Sequence, residues 1–153
     1  MGRYAVRDDV AVADCALEIE ACDLGDLFET AARAVSELMV DPATVAPAVR
    51  REIALTAPAL DLLLFDWIAE LLFLKDSEQL IVTETSAAVE APGTDPAAAS
   101  PAGAPCRLIA RVAGGPIDRE QTTLRADAKA PTLYRLAVEP TADGWRASVV
   151  IDI

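Results

Sequence analysis

Apolar and polar residues alternate near the start of the chain, in the segment DDVAVADCALEIEA (residues 8–21). Alternation of this kind is typical of a strand with one buried face. Val10 and Val12 share one parity, whereas Leu17 and Ile19 share the other. Because the parity changes around Asp14, we expect a turn or bulge there and two short strands instead of one.

The segment that follows predicts a helix. Asp23 suits the N-cap position, and Asp26 places a negative charge in the first turn, where it complements the helix dipole. Apolar residues at helical spacing then form a stripe that we expect to be buried: Leu24, Phe28, Ala31, Val35 and Leu38. The prolines of VDPATVAPA (residues 40–48) end the helix, because proline cannot donate a backbone hydrogen bond.

A second helix is predicted from about Pro58 to Leu74, with its proline near the first turn. Its buried face is formed by apolar residues: Leu60, Leu63, Leu64, Trp67, Leu71 and Leu74. Its solvent side carries three acids: Asp61, Asp66 and Glu70. KDSEQ (residues 75–79) is expected to lead out of the helix.

Further segments predict strands: RREIALTA (50–57), LIVTETS (80–86), CRLIARVAGG (106–115), APTLYRLAVEP (130–140) and GWRASVVIDI (144–153). PIDREQTTL (116–124) predicts a turn followed by the start of a strand, and Asp143-Gly144 predicts a hairpin between the last two strands. In the final strand Asp152 lies opposite the main apolar row. The pattern indicates an α+β two-layer sandwich, with two helices on one face of a mainly antiparallel sheet.

A tract of small residues, AAVEAPGTDPAAASPAGAP, occupies residues 87–105. Such a segment buries too little apolar surface to offset the entropy lost on ordering. We therefore expect a flexible loop at about 87–105. Neither side of this loop has a complete core alone, so residues 1–153 are expected to form a single domain.

Composition and charge restrict the classes of partner. The chain of 153 residues has 25 acidic and 13 basic residues, no histidine and a formal net charge of -12. Phosphate backbones repel so acidic a protein, so we expect no direct binding of nucleic acid. A basic protein partner or a divalent cation would suit this charge.

Other features predict a cytoplasmic protein. The longest apolar stretch, LDLLLFDWIAELLFL, is interrupted by acids and is too short to span a membrane. The first ten residues carry charges where a signal peptide needs an apolar core. Cys15, Cys22 and Cys106 lack CxxC spacing, and we interpret them as reduced thiols.

The sequence does not predict an enzyme. Without histidine there is no Ser-His-Asp or Cys-His pair, and no GxSxG, GxGxxG or GxxxxGK motif is present. A catalytic pair of carboxylates acting as acid and base is the last-ranked alternative, because nothing in the pattern indicates a cleft for it.

With these catalytic motifs absent, the carboxylate side chains are the remaining candidates for a functional site. Asp152 and the terminal carboxylate of Ile153 are adjacent, and Asp14 lies at the parity break, where a turn would expose it at a sheet end. Calcium and magnesium prefer several oxygen ligands in one place. Most of the acids are nevertheless expected to be ordinary solvated residues.

The sequence resembles the archease family, the small accessory proteins of the RNA ligase that joins ends left by tRNA splicing. Three segments carry the resemblance: ADCALEIEACDLGDLFETAARAVSELMVD, LDLLLFDWIAELLFLKDSEQLIV and DAKAPTLYRLAVEPTADGWRASVVIDI. The last includes the family's Gly-Trp-Arg and its closing Asp-Ile. The resemblance does not extend to the Ala/Pro-rich loop or to the first few residues.

The resemblance implies a two-layer α+β fold and a function as an activator of the ligase. It implies that the protein promotes metal-dependent guanylylation of the ligase with GTP and multiple turnover. The implied metal ligands are Asp14, Asp152 and Ile153, with calcium, magnesium or manganese as the ion. Lys129, in the family's Lys-Ala-x-Thr stretch, is a further possible functional residue.

The chain differs from the family where histidines are usual. The family's His-Thr-Ala-Asp is replaced by AVAD, so Ala11 and Val12 occupy the histidine and threonine positions. Its Thr-Tyr-His is replaced by TLYR, which places Leu133 and Tyr134 at the tyrosine and histidine positions. The missing histidines favour the alternative function, a metal-independent, chaperone-like module that binds a protein.

Overall fold

The computed structural model describes residues 2–7, 14–92 and 104–153 of the chain. Two helices, α1 (Leu24–Met39) and α2 (Leu60–Glu78), are joined by a short 3-10 turn at Pro42–Thr44 and by one strand. The strands are β1 (Arg3–Arg7), β2 (Asp14–Ala21), β3 (Val49–Ala57), β4 (Leu80–Glu90), β5 (Cys106–Pro116), β6 (Ala130–Pro140) and β7 (Trp145–Asp152).

The strands form two antiparallel sheets. The first sheet has the order β1-β2-β7-β6, and the second has the order β3-β5-β4. Each helix contacts strands of both sheets, and buried residues of both helices and both sheets join one hydrophobic cluster. The predicted α+β class is confirmed, and the strands are divided between two sheets.

Helix α1 follows its predicted boundaries. The Asp23 side chain accepts a hydrogen bond from the Asp26 backbone N–H at 2.8 Å, so the predicted N-cap is confirmed. The apolar stripe is buried from Leu24 to Val35, and Leu38 is half-buried. The Ser36 hydroxyl donates to the Val82 carbonyl, which joins the helix to β4.

Helix α2 is longer than predicted, because KDSE continues the helix to Glu78. Gln79, in the left-handed conformation at φ 53°, ends the helix, and its N–H donates to the Leu74 and Lys75 carbonyls. Trp67 is fully buried, and its indole N–H donates to the Phe28 carbonyl of α1 at 3.0 Å. This bond ties the two helices together inside the core.

The strand boundaries differ from the prediction in several places. Strand β4 continues to Glu90, so the loop predicted at about 87–105 begins later; residues 93–103 lie outside the described residues. PIDREQTTL forms turns and a single bridge between Leu124 and Val40. Strand β1 was not predicted, and the Val10–Val12 segment falls outside the described residues.

In the described part of the chain, none of the helices is both long enough and apolar enough to cross a membrane.

Candidate functional site

The register of the first sheet places Asp14 directly opposite Asp152. Strands β2 and β7 pair antiparallel, with Cys15 opposite Ile151 and Ala16 opposite Val150. Directly opposed residues of an antiparallel pair point to the same face, so both carboxylates lie on the face that carries Ala16 and Val150. Asp14 and Asp152, hereafter the acidic pair, are therefore neighbours, although they come from opposite ends of the sequence.

Other charged positions on this face are balanced by charges of opposite sign. At the far end of the sheet, Arg3 binds Glu20 at 2.5 Å and Arg146 lies 3.6 Å from Glu139. Glu18 lies one row nearer to the acidic pair, and it is 3.2 Å from Arg7, which belongs to the row next to the acidic pair. Arg3 and Glu20 are directly opposed on adjacent strands, as are Arg146 and Glu139, whereas Arg7 and Glu18 are diagonal neighbours.

The acidic pair has no such balance. Within residues 2–7, 14–92 and 104–153, neither the Asp14 nor the Asp152 side chain forms a hydrogen bond or an ion pair. The adjoining row on the same face comprises Arg7, Ala16, Val150 and Thr132. Ala16 and Val150, which lie directly beside the acidic pair on the same two strands, are 5% and 3% exposed. Two like charges thus lie side by side next to apolar surface, an arrangement that destabilises a sheet unless a cation is present.

Two other predicted residues lie at the same end of the sheet. The Lys129 backbone N–H donates to the Asp152 carbonyl at 2.8 Å, and Ala130 lies opposite Asp152. The Lys129 side chain is exposed. Ile153 follows Asp152 directly and is also exposed. All four predicted site residues therefore meet at one end of the first sheet.

The segment that ends at Lys129 is held by both helices. The Arg125 and Ala126 N–H groups donate to the Met39 and Leu38 carbonyls at the end of α1, at 2.7 and 3.1 Å. The last carbonyls of a helix have no N–H partner within the helix, and here the backbone of this segment supplies the missing donors.

Lys75 holds the same segment from α2. Its ammonium group donates to the Asp127 carboxylate at 2.8 Å and to the Ala128 carbonyl at 2.6 Å, and it lies 2.9 Å from Asp76. Burial disfavours the charge of Lys75, but the hydrogen bonds to Asp127 and Asp76 outweigh it and raise its pKa. The bond to Lys75 lowers the pKa of Asp127.

The acidic pair suits a hard divalent cation. Directly opposed residues have Cα atoms about 4.5–5.5 Å apart, so both carboxylates can reach one ion. In the described ranges, no cluster of three or more His, Cys, Asp or Glu side chains is arranged to hold a metal. A metal at the acidic pair would consequently need further oxygens, which the main chain at Ile153 and water can supply.

One feature of the site region was missed at the sequence level. Strand β6 is predicted as continuous, but its register to β7 shifts between Thr132 and Ala137. Arg135 there has a φ of 55°, and Leu133 and Tyr134 are 65% and 55% exposed. The change of apolar parity between Leu133 and Leu136 was the available signal.

Comparisons with known proteins identify the relatives of this chain. The model of the Archease protein family (MTH1598/TM1083) matches residues 4–153. Protein archease of Methanosarcina acetivorans is 33% identical over 130 residues, covering 85% of this chain and 83% of that protein. Protein archease of Archaeoglobus fulgidus is 30% identical over 143 residues, covering 92% and 93%.

Two solved structures are similar in fold. The solution structure of Methanobacterium thermoautotrophicum protein 1598 has a TM-score of 0.74 and 26% identity, with 98% of each chain covered. The crystal structure of a Thermotoga maritima archease, described as a possible chaperone, has a TM-score of 0.59 and 17% identity. It covers 94% of this chain and 93% of that one, and this likeness concerns the fold alone.

Proposed function

Because the chain belongs to the archease family, we propose that it activates a GTP-dependent RNA ligase in tRNA splicing or RNA repair. The activation consists of promoting the ligase's metal- and GTP-dependent guanylylation, and with it multiple turnover. The chain is then an accessory protein and not an enzyme. The single observation that supports this function best is the acidic pair itself, two directly opposed carboxylates without an ion pair among the described residues, at one end of the first sheet.

In this proposal Asp14, Asp152 and the main-chain oxygens of Ile153 hold one divalent ion, calcium, magnesium or manganese. Such an ion, when bound, would shield phosphate charge during nucleotidyl transfer. The two aspartates supply the negative charge that attracts it. Pairing across β2 and β7 holds the two carboxylates on one face, so little ordering is needed when the ion binds.

Lys129 has a distinct role in the proposal. Its backbone fixes the Asp152 carbonyl, and its exposed ammonium group lies on the same end of the sheet. It can therefore contact a phosphate or carboxylate of the partner beside the metal. The partner is the ligase protein; the net charge of -12 disfavours direct contact with RNA.

The direct test is a multiple-turnover RNA ligation assay with Asp152→Asn. Asparagine preserves shape and removes one of the two charges, so we expect stimulation of the ligase to fall at least about tenfold. Asp143→Asn is the matched control, because Asp143 is an exposed aspartate in the turn at the other end of β7. Full stimulation by the Asp152→Asn protein would refute the role of the acidic pair.

A second candidate function is a chaperone-like module that stabilises a protein client without metal. Exposed Leu133 and Tyr134 favour it, and the Thermotoga maritima relative is described as a possible chaperone. The activator and chaperone functions predict different results when this protein is depleted of metal and then added to a ligase that keeps its own metals. Stimulation that survives depletion supports the chaperone function, whereas stimulation restored only by a divalent ion supports the activator.

A further inference from the structure

We propose that residues 133–136, hereafter the β6 bulge, are the contact that docks this protein onto its ligase partner. This inference rests on the proposed function, and it gives the β6 bulge a role different from that of the acidic pair. The acidic pair provides the ion, and the β6 bulge provides affinity and orientation.

The β6 bulge is an insertion into a paired strand. Thr132 lies opposite Val150, and Ala137 lies opposite Ser148, so four residues of β6 face Val149 alone. The Thr132 hydroxyl donates to the Val150 carbonyl at 3.0 Å, which fixes the point where the bulge begins. Regular pairing resumes from Ala137 to Pro140. The extra residues are thus held at both ends by the sheet.

The backbone of the β6 bulge is strained. Arg135 has a φ of 55°, a conformation that glycine adopts freely and that is uncommon for a side chain as long as arginine. Among the described residues, Gln79 at the end of α2 is the other non-glycine with positive φ, and there a helix cap explains it. No cap explains Arg135. Strain of this kind concentrates at sites that bind ligands or partners.

The side chains of the β6 bulge are those that dominate protein interfaces. Leu133 is 65% exposed and Tyr134 is 55% exposed. The Arg135 guanidinium carbon lies 5.4 Å from the centre of the Tyr134 ring, so the two side chains form one stacked unit. Tyrosine and arginine are enriched at the centres of protein–protein interfaces, where they fill pockets of the partner.

Protection of the sheet edge is the competing explanation, since β6 is an edge strand of the first sheet. Bulges do discourage pairing between edges, but edges protected in this way usually carry charges or proline at the exposed position. Here the bulge does expose one charge, on Arg135, but it also exposes a leucine and a tyrosine, whose apolar surface does not discourage association. A docking function accounts for both the bulge and its exposed apolar residues.

The location identifies the partner. Thr132, the residue before the β6 bulge, lies opposite Val150, and Val150 is two residues from Asp152, a separation of about 7 Å along the strand. A protein held at the β6 bulge would therefore also face the acidic pair. The ligase surface that fits has an apolar pocket for Leu133 and Tyr134, with an acidic group near Arg135. It lies next to the nucleotide site that the divalent ion serves.

The test compares three forms of the chain with the purified ligase: wild type, Leu133→Ser/Tyr134→Ser and Ile109→Ser. Ile109 is 45% exposed on the second sheet, which makes it a matched apolar control. Affinity is measured by calorimetry, and calcium or manganese binding is measured on the same samples. We expect the double variant to bind the ligase at least tenfold more weakly, with unchanged metal binding and unchanged affinity in the control.

The outcomes separate this inference from the proposed function. If the wild-type chain neither binds nor stimulates the ligase, both are overturned. If the double variant binds the ligase as tightly as wild type, the docking role is overturned and the activator role stands. Arg135→Gly, which suits a φ of 55°, keeps the backbone and removes the guanidinium group. If Arg135→Gly still binds the ligase and the double variant does not, docking occurs through Leu133 and Tyr134.

Discussion

At the scale of single residues, the acidic pair combines a cost in stability with the proposed capacity to bind metal. Asp14 and Asp152 are directly opposed and carry the same charge, and within the described residues neither side chain forms an ion pair. Like charges at directly opposed strand positions destabilise a sheet. Residues that reduce stability in this way are commonly retained for function.

Replacing one carboxylate should therefore stabilise the metal-free protein. We expect Asp152→Asn to raise the free energy of unfolding by about 0.2–1 kcal/mol, measured by urea denaturation in chelator. Asp143→Asn should leave it unchanged, because Asp143 has no opposed acid on the neighbouring strand. A decrease for Asp152→Asn would show that the charge pair is not the dominant interaction at this position.

Local patterns predicted some of these residues and missed others. The Asp23 cap depends only on neighbours within one helical turn, so it could be predicted from sequence. The meeting of Asp14 with Asp152 depends on the register between the first and last parts of the chain, which no local pattern encodes. The sequence pattern drew attention to the two aspartates, the family resemblance paired them as metal ligands, and that role stays a prediction.

At the scale of elements, the end of α2 shows why sequence analysis misplaced a boundary. KDSE (residues 75–78) has no apolar residue, so the sequence pattern predicts that the helix ends before it. In the structure, contacts with distant segments occupy these polar side chains: Lys75 binds Asp127, and Glu78 binds Arg51 at 2.5 Å. Tertiary ion pairs thus replace the apolar stripe as the reason for the last turn.

Lys75 is the element-scale link between α2 and the site. Its side chain is 10% exposed, and its removal would leave the buried Ala128 carbonyl without its donor. We expect Lys75→Met to lower the free energy of unfolding by about 1–3 kcal/mol at neutral pH. Urea denaturation of both proteins measures this difference.

The effect of Lys75→Met should depend on pH in a defined direction. The folded protein lowers the pKa of Asp127, so the stabilisation from this carboxylate is present at neutral pH and is lost as pH falls through that lowered pKa. The raised pKa of Lys75 keeps its charge through neutral and mildly alkaline pH. The difference between wild type and variant should consequently shrink in acid. If the difference in the free energy of unfolding between wild type and Lys75→Met grew in acid, the proposed contribution of the Lys75–Asp127 ion pair would be contradicted.

At the scale of the whole molecule, one hydrophobic cluster joins both helices and both sheets. The predicted single domain can be tested with the two tryptophans of the chain. Trp67 is buried in α2, whereas Trp145 lies in the first sheet and is half-buried.

Unfolding should be a single cooperative transition. Two variants isolate the tryptophans: Trp145→Phe leaves the fluorescence of Trp67, and Trp67→Phe leaves that of Trp145. In each variant we expect fluorescence and far-ultraviolet circular dichroism to report one two-state unfolding transition. Within each variant, the fluorescence midpoint and the circular dichroism midpoint should coincide. Separate midpoints within one variant would indicate that the two sheets unfold independently.

We propose that two aspartates from opposite parts of the sequence hold one divalent ion. Calcium and manganese are titrated calorimetrically into metal-free wild type, Asp14→Asn, Asp152→Asn and Asp143→Asn. We expect one ion per chain for wild type and Asp143→Asn, with affinity reduced about tenfold or more in each of the other two. Equal affinity in all four proteins, or no binding by wild type, would contradict it.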